Sequence, residues 1–499
     1  MRRLPLVSLA LLLVLALVAG ACAKHAKGNP LSVEGNSGFK VDSDLGDSVD
    51  GKIDPATGLK GKHKPTADQV VQAALTDVDA FWSRSFEDLY GDTYEPISGG
   101  YWPYGPKTEQ PPCGDPAPAY QDIADNAFYC PSGDLVAWDD ASLIPDLYKS
   151  YGGFTLGIVF AHEFGHAIQE RAGVTGDTIM TELQADCFAG AWTQDVADGN
   201  SDYFDLKLDD LDKAVAGFLE LRDGVGDSAE DPSAHGTGFD RIGAFTDGFE
   251  NGLTECKDYP KMYADKDLVV VEVPFEDQAD FDRGGDLPLD EAVTTAFDDL
   301  QQFWAVVFQE LGHTWDPVDA ITPIDPDKDE ITCGDQTYSG DDLVEASFYC
   351  VPDDTIYLDA VNLVPELYDI GDYAVATEVA RQFAYAAQVQ LGNLDNSLAT
   401  NLQGDCYAGV YAYSGFAKNR GDDQILTLSP GDLDEAVIAF LRTSDSAADV
   451  DADGSTSVGT AFERFDAYRT GFLAGISACD DLAKNVAGDG DSSSTTDDS

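Results

Sequence analysis

The chain has 499 residues, too many for one ordinary core, and two domains of about 200 residues each are the natural expectation. It is 43% hydrophobic and 10% aromatic, enough apolar material for packed cores despite a formal charge of -63. Such a charge repels phosphate and argues against nucleic acid or an anionic membrane surface as partner; acid-rich surfaces suit solubility or salty surroundings.

The N-terminus, "MRRLPLVSLALLLVLALVAGAC", sets two arginines before an apolar run and ends in small residues ahead of Cys22. This is signal-peptide architecture over residues 1–21, not a spanning helix. "VAGAC" resembles a bacterial lipobox, with cleavage before Cys22 and lipidation of its thiol. The expectation is an exported cell-surface or envelope lipoprotein, with plain secretion as the alternative. Nothing later is apolar for the roughly 20 residues a span needs, so a lipid anchor would be the only membrane contact. Residues 22–65, rich in Gly, Asp, Ser and Lys, read as a flexible tether.

A first lobe is expected over 66–265. "ADQVVQAALTDVDAFWSRSF" (67–86) has the periodicity of an amphipathic helix, and "FYCPSGDLVAWDD" (128–140) suggests a hairpin or short strands. "FTLGIVFAHEFGHAIQERAG" (154–173) is nearly all apolar up to Ala161 and reads as a buried helix. His162 and His166 stand at i and i+4, so both imidazoles share one face, where they can hold a tetrahedral Zn2+. Glu163 between them completes the H-E-x-x-H pattern of zinc peptidases, as a base for a metal-bound water. Two satisfied core histidines would be the bland alternative.

A catalytic zinc needs three protein ligands and an open position. His25 and His63 lie in the tether and His313 beyond the lobe, while His235 sits in a distant Gly-rich loop. A carboxylate is the better choice, and Glu182 heads "ELQADCFAGAW", a second apolar helix 16 residues after His166. Asp186, one turn further on the same face, would hydrogen-bond a ligand imidazole from behind.

The chain then repeats itself. "CGDPAPAYQDIADNAFYC" (113–130) corresponds to "CGDQTYSGDDLVEASFYC" (333–350), and "ELQADCFAG" (182–190) to "NLQGDCYAG" (401–409), at offsets of 220 and 219 residues. We therefore expect a second lobe over 291–480, after an acidic linker at 266–290 with one possible strand at Leu268–Val273 and before a disordered tail at 481–499. "LDEAVTTAFDDLQQFWAVVF" (289–308) reads as its first helix. If Cys22 is lipidated, eight of the nine cysteines remain for disulfides, four per lobe. Pairing within each lobe is the economical arrangement: Cys113–Cys130 with Cys187–Cys256, and Cys333–Cys350 with Cys406–Cys479. Four cysteines also allow two other connectivities.

Against "AHEFGHAIQ" (161–169) stands "ARQFAYAAQ" (380–388). His162 becomes Arg381, Glu163 becomes Gln382, His166 becomes Tyr385 and Glu182 becomes Asn401, so the second lobe has lost every chemical position while keeping its scaffold. His235 aligns with Val458 and is lost along with them, which suggests a role such as donating to the substrate carbonyl; a loop hydrogen bond is the alternative. Asp186 persists as Asp405, for which Arg381 could serve as a buried partner. "DVDADG" (449–454) opens like a calcium loop, but Thr460 stands where a bidentate glutamate belongs, and "DPDKDE" (325–330) is weaker still.

"HEFGH", "ELQADCFAG", "HGTGFDRIGAFTDGFENG" (235–252) and the "CGD…FYCP" stretch together resemble the bacterial neutral zinc metallopeptidase family, a gluzincin-type group, over roughly residues 70–260. The resemblance implies a helix-dominated α+β, zincin-like lobe, here duplicated in tandem, with an active-site helix carrying HEFGH and a second ligand helix. It implies His162, His166 and Glu182 as zinc ligands and Glu163 as catalytic base, acting on a peptide or protein substrate of unspecified kind. The expected protein is an exported zinc metalloendopeptidase with one live and one degenerate lobe. Hydrolysis of a non-peptide amide is the runner-up among enzymes. From another class, the rival is a cell-surface binding or scaffold protein with an unused or structural zinc site.

Overall fold

A computed structural model describes residues 53–54, 58–59, 65–226, 235–392, 397–421, 424–444 and 458–492. The signal segment, Cys22, His25, His63, the acidic stretch 449–454 and the end of the tail lie outside the described residues. The chain divides into two units. One takes the described residues up to Gly217 together with Ala244–Val269; the other takes Phe218–Gly243 and the chain from Val270 onward.

In the first unit, Thr66 and Gln69 form a reciprocal capping box that starts helix α1 (Ala67–Tyr90). Val70, Val71, Ala74, Val78, Phe81 and Trp82 are its buried stripe, and Gly91 ends it in the left-handed conformation. Three strands follow: β1 (Gly100–Tyr104), β2 (Ala127–Cys130) and β3 (Leu135–Asp139), in the order β1-β3-β2. The β2–β3 pair is the hairpin expected from the sequence, with Tyr129 opposite Val136, and β1 runs parallel to β3. All five residues of β3 are buried, as befits the central strand.

Two 20-residue helices complete the scaffold of the site, α2 (Gly153–Ala172) and α3 (Thr178–Ala197). A Cβ added at Gly165 on α2 would come within 2.9 Å of the Ala185 Cα on α3, so the missing side chain is what lets the helices meet closely there. Disulfide Cys113–Cys130 anchors β2, and Cys187–Cys256 fastens α3 to the helix Leu253–Asp265.

The second unit runs through the same order of elements: α4 (Leu289–Glu310), strands β4 (Ala320–Ile324), β5 (Ser347–Cys350) and β6 (Thr355–Asp359) in the order β4-β6-β5, then α5 (Asp372–Leu391) and α6 (Leu398–Ala417). It adds a small hairpin, Glu330–Cys333 with Gln336–Ser339. Its disulfides are Cys333–Cys350 and Cys406–Cys479. Where α2 and α3 meet through Gly165 and Ala185, α5 and α6 meet through Ala384 and Gly404: a Cβ on Gly404 would lie 3.7 Å from the Ala384 Cβ. The methyl group has changed helices and the gap is filled either way.

The segment 218–243 is built into this second unit. Phe239 packs 5.1 Å from Phe472 and 5.7 Å from Phe465, and the Asp434 carboxylate accepts from the Gly238 and Phe239 amides. The Leu268–Val273 strand expected from its valines does not form. Val271 is buried, but its N–H donates to the Asp240 carboxylate, so a side chain takes the place of a strand partner. At 325–330, the Lys328 ammonium pairs with Asp325 and supplies the acidic turn with its own cation. No helix among the described residues is long and apolar enough to cross a membrane.

Gly165→Ala is expected to overpack the α2–α3 crossing, at a cost of about 1–3 kcal/mol, and to weaken metal retention. Adding Ala185→Gly, which copies the second unit's arrangement, should restore both. A thermal midpoint and zinc content unchanged in Gly165→Ala would show that the close approach is not required.

Candidate metal centre

His162 and His166 project from one face of α2, with ring centroids 4.8 Å apart and Nε2 atoms 3.1 Å apart. From α3, Glu182 places Oε2 3.3 Å from His162 Nε2 and Oε1 3.3 Å from His166 Nε2. One ligand atom from each of these residues lies within 4.8 Å of the others. Asp186, four residues along α3 from Glu182, is wholly buried and meets His162 from behind, Oδ1 to Nδ1 at 2.6 Å.

The positions of the protons decide what this cluster can hold. Asp186 as a carboxylate only accepts, so His162 Nδ1 is the donor. His166 Nδ1 lies 3.0 Å from Gln169 Oε1, and Gln169 Nε2 donates to the Thr181 carbonyl at 2.6 Å, which identifies the end facing the ring as oxygen. His166 Nδ1 is therefore a donor too. Each neutral ring then turns an Nε2 lone pair towards the other and towards a carboxylate whose Oε2 is buried with no hydrogen-bond donor. Acceptors converge with nothing positive between them, an arrangement that a cation resolves. Two imidazoles and one carboxylate are the donor set of a catalytic zinc, whereas calcium and magnesium prefer all-oxygen sites. The residues present fit zinc.

Protonation is the other way to supply positive charge. Burial opposes a charge on His162, but Asp186 and then Glu182 outweigh it and lift its pKa to about 10. His166 is raised against the same burial by Glu182. Burial likewise opposes ionisation of Glu182, yet the two imidazoles hold it well below the carboxylate range. Glu163 is not one of the converging ligands: it is 6% exposed and its Oε2 accepts from the Tyr129 amide on β2 at 2.7 Å. Burial pushes its pKa up, and the two histidines only partly offset that.

In the second unit the sequence counterparts close into a different network. Arg381 donates through Nε to Asp405, through Nη1 to Glu378 at 2.9 Å, and approaches the Tyr385 hydroxyl at 3.5 Å. Tyr385 donates to Asn401 at 2.9 Å, and Gln382 to Glu378 at 2.8 Å. Arg464 Nε also donates to Asp405 at 3.0 Å. The guanidinium thus bonds Asp405 where the imidazole of His162 bonds Asp186. Glu378, the counterpart of Val159, is an addition that the motif comparison missed. Burial alone would neutralise it, but Arg381 beside it keeps it below the ordinary range.

His235 belongs to the second unit, about half-exposed, with its amide donating to Asp223 at 2.7 Å and Nδ1 3.3 Å from the same carboxylate. The structure does not gather it with His162, His166 and Glu182. One further cluster among the described residues, Asp286, Asp372 and Glu435, is all carboxylate; burial and then repulsion from neighbouring carboxylates raise Asp372 to about 6 and Glu435 to about 8. Sequence reasoning missed Gln169 and the Tyr129 amide. Gln169 had one signal, its persistence as Gln388 where the histidine beside it is gone.

Residues 49–259 match the sequence model of a family described as "Putative neutral zinc metallopeptidase". The chain is similar to the Escherichia coli K12 protein YpfJ, described as uncharacterized, at 28% identity over 215 residues, covering 38% of this chain and 69% of that protein. Over 80 residues it is 39% identical to the uncharacterized Mycobacterium tuberculosis protein Rv2575, covering 13% of this chain and 27% of that one. No solved structure is significantly similar.

Two outcomes follow for stability. In metal-free protein the contribution of His162 is complete below the ordinary 6.5 and is lost as pH rises through about 10; that of Glu182 is present above 4.5 and lost as pH falls below it. The metal-free thermal midpoint should fall between pH 6.5 and 10, less steeply in Asp186→Asn, and zinc should flatten the curve. Equal slopes in the two metal-free proteins would contradict this origin. Arg381→Ala leaves Asp405 with Arg464 but takes from Glu378 the cation bonded to it, so it should destabilise the protein by about 3–5 kcal/mol with no change in zinc content.

Proposed function

We propose, with residues 49–259 belonging to the neutral zinc metallopeptidase family, that this chain hydrolyses peptide bonds at a zinc centre held by His162, His166 and Glu182. The observation that carries the reading is the convergence of three acceptors on one buried point with a separate buried carboxylate, Glu163, beside them. A structural zinc needs no such extra carboxylate.

Zinc supplies Lewis acidity towards water and towards a peptide carbonyl. The chain's own residues do the rest. Glu163 takes a proton from the attacking water and hands it to the leaving amine. The Tyr129 amide holds the Glu163 carboxylate in place. Asp186 fixes the ring of His162 with Nε2 free for the metal.

The two units are copies of one ancestral unit on this reading, which their shared order of elements and their equal 17-residue disulfide separations support. The second copy is inert, its metal replaced by Arg381. Export and lipidation at Cys22 rest on the N-terminal sequence alone.

Metal analysis of the full chain is expected to find one zinc. Glu163→Gln should keep that zinc and lower peptide hydrolysis by about 100- to 10,000-fold, while Glu182→Ala should lose the metal itself. Hydrolysis that survives both a chelator and Glu163→Gln would sink the assignment.

A further inference from the structure

Gln169 stands where both ligand helices can be reached by one side chain. It is 5% exposed and lies near the end of α2, three residues after His166. Its Oε1 accepts from His166 Nδ1 at 3.0 Å, and its Nε2 donates to the carbonyl of Thr181 at 2.6 Å. Thr181 immediately precedes Glu182 on α3. A single amide therefore sets the orientation of the ligand from one helix and grips the backbone that carries the ligand from the other.

The second unit separates the two halves of this bond pair. Gln388, the counterpart of Gln169, keeps the backbone grip: its Nε2 donates to the Thr400 carbonyl at 2.8 Å, one residue before Asn401. Tyr385 stands where His166 would, and Gln388 Oε1 is buried without a donor. The helix-to-helix bond survives without the histidine; the oxygen has lost its partner with it. A glutamine kept only to join two helices would not need its oxygen aimed at a ligand ring.

We propose that Gln169 is a positioning residue for the zinc centre, coupling His166 to Glu182 across the α2–α3 crossing. This rests on the proposed zinc site. Its Oε1 keeps the proton of His166 on Nδ1 and so leaves Nε2 as the metal-binding atom. Its Nε2 holds the first turn of α3 at the distance at which Glu182 meets that nitrogen. Neither an acceptor alone nor a donor alone performs both tasks, which is why an amide occupies this position.

Zinc affinity of the full chain, measured by competition with a chromophoric chelator, tests the proposal. Gln169→Met removes both bonds and should weaken zinc binding by about 10- to 100-fold. Gln169→Glu keeps the acceptor for His166 and should fall between wild type and Gln169→Met. Gln388→Met breaks the equivalent helix-to-helix bond in the second unit and should lower the thermal midpoint without changing zinc affinity. Wild-type affinity in Gln169→Met, or equal losses in the methionine and glutamate variants, overturns the positioning role while leaving the zinc site standing. Loss of zinc affinity in Gln388→Met equal to that in Gln169→Met overturns it too, because the effect would then be general destabilisation. Wild-type protein that binds no zinc overturns the site itself.

Discussion

A group of acceptors buried together must have positive charge among them, and that requirement organises both units of this protein. In the first, two Nε2 lone pairs and the Glu182 carboxylate point at one place, and the hydrogen bonds at both Nδ1 atoms prevent either neutral ring from donating there. Positive charge has to arrive from solution, as a proton or as a metal ion. In the second, a covalently attached guanidinium fills the role: Arg381 lies among Glu378, Asp405 and Tyr385 and satisfies them permanently. The same constraint has an open answer in one unit and a closed answer in the other.

Everything around the first centre can be understood as holding those acceptors together against their mutual repulsion. The absent side chain of Gly165 lets α2 and α3 approach closely. Asp186 and Gln169 lock the rings, and the Cys187–Cys256 disulfide ties α3 to its neighbour immediately after Asp186. Glu163 sits one residue from His162 but on a different side of α2, with the Tyr129 amide to bind it. Glu163 on α2 is thereby held apart from Glu182 on α3, the carboxylate that meets the two imidazoles.

Much of this is legible in the residues themselves because it depends on local periodicity. The i, i+4 spacing puts His162 and His166 on one face, the apolar stripe of 67–86 makes a helix, and the two apolar runs flanking Pro131–Asp134 make a hairpin. What escapes the sequence depends on partners far along the chain. The valines near 270 have strand propensity, but Asp240 takes the Val271 amide and no strand forms. Phe218–Gly243 joins the second unit through Phe239 and Asp434 contacts with residues some two hundred positions away. Gln169 looks like an ordinary helix residue until the start of α3 is placed against it. Glu378 replaces a valine outside the motif, so a comparison of the motif's chemical positions passes over it.

The central claim is that the first unit's acceptors hold zinc and the second unit's do not. Anomalous scattering at the zinc edge from crystals of the zinc-loaded full chain tests it most directly. The account predicts one strong peak per chain, bounded by His162 Nε2, His166 Nε2 and the Glu182 carboxylate, with none beside Arg381. A peak beside Asp405, a peak only at the Asp286, Asp372 and Glu435 carboxylates, or none between the two histidines would contradict it.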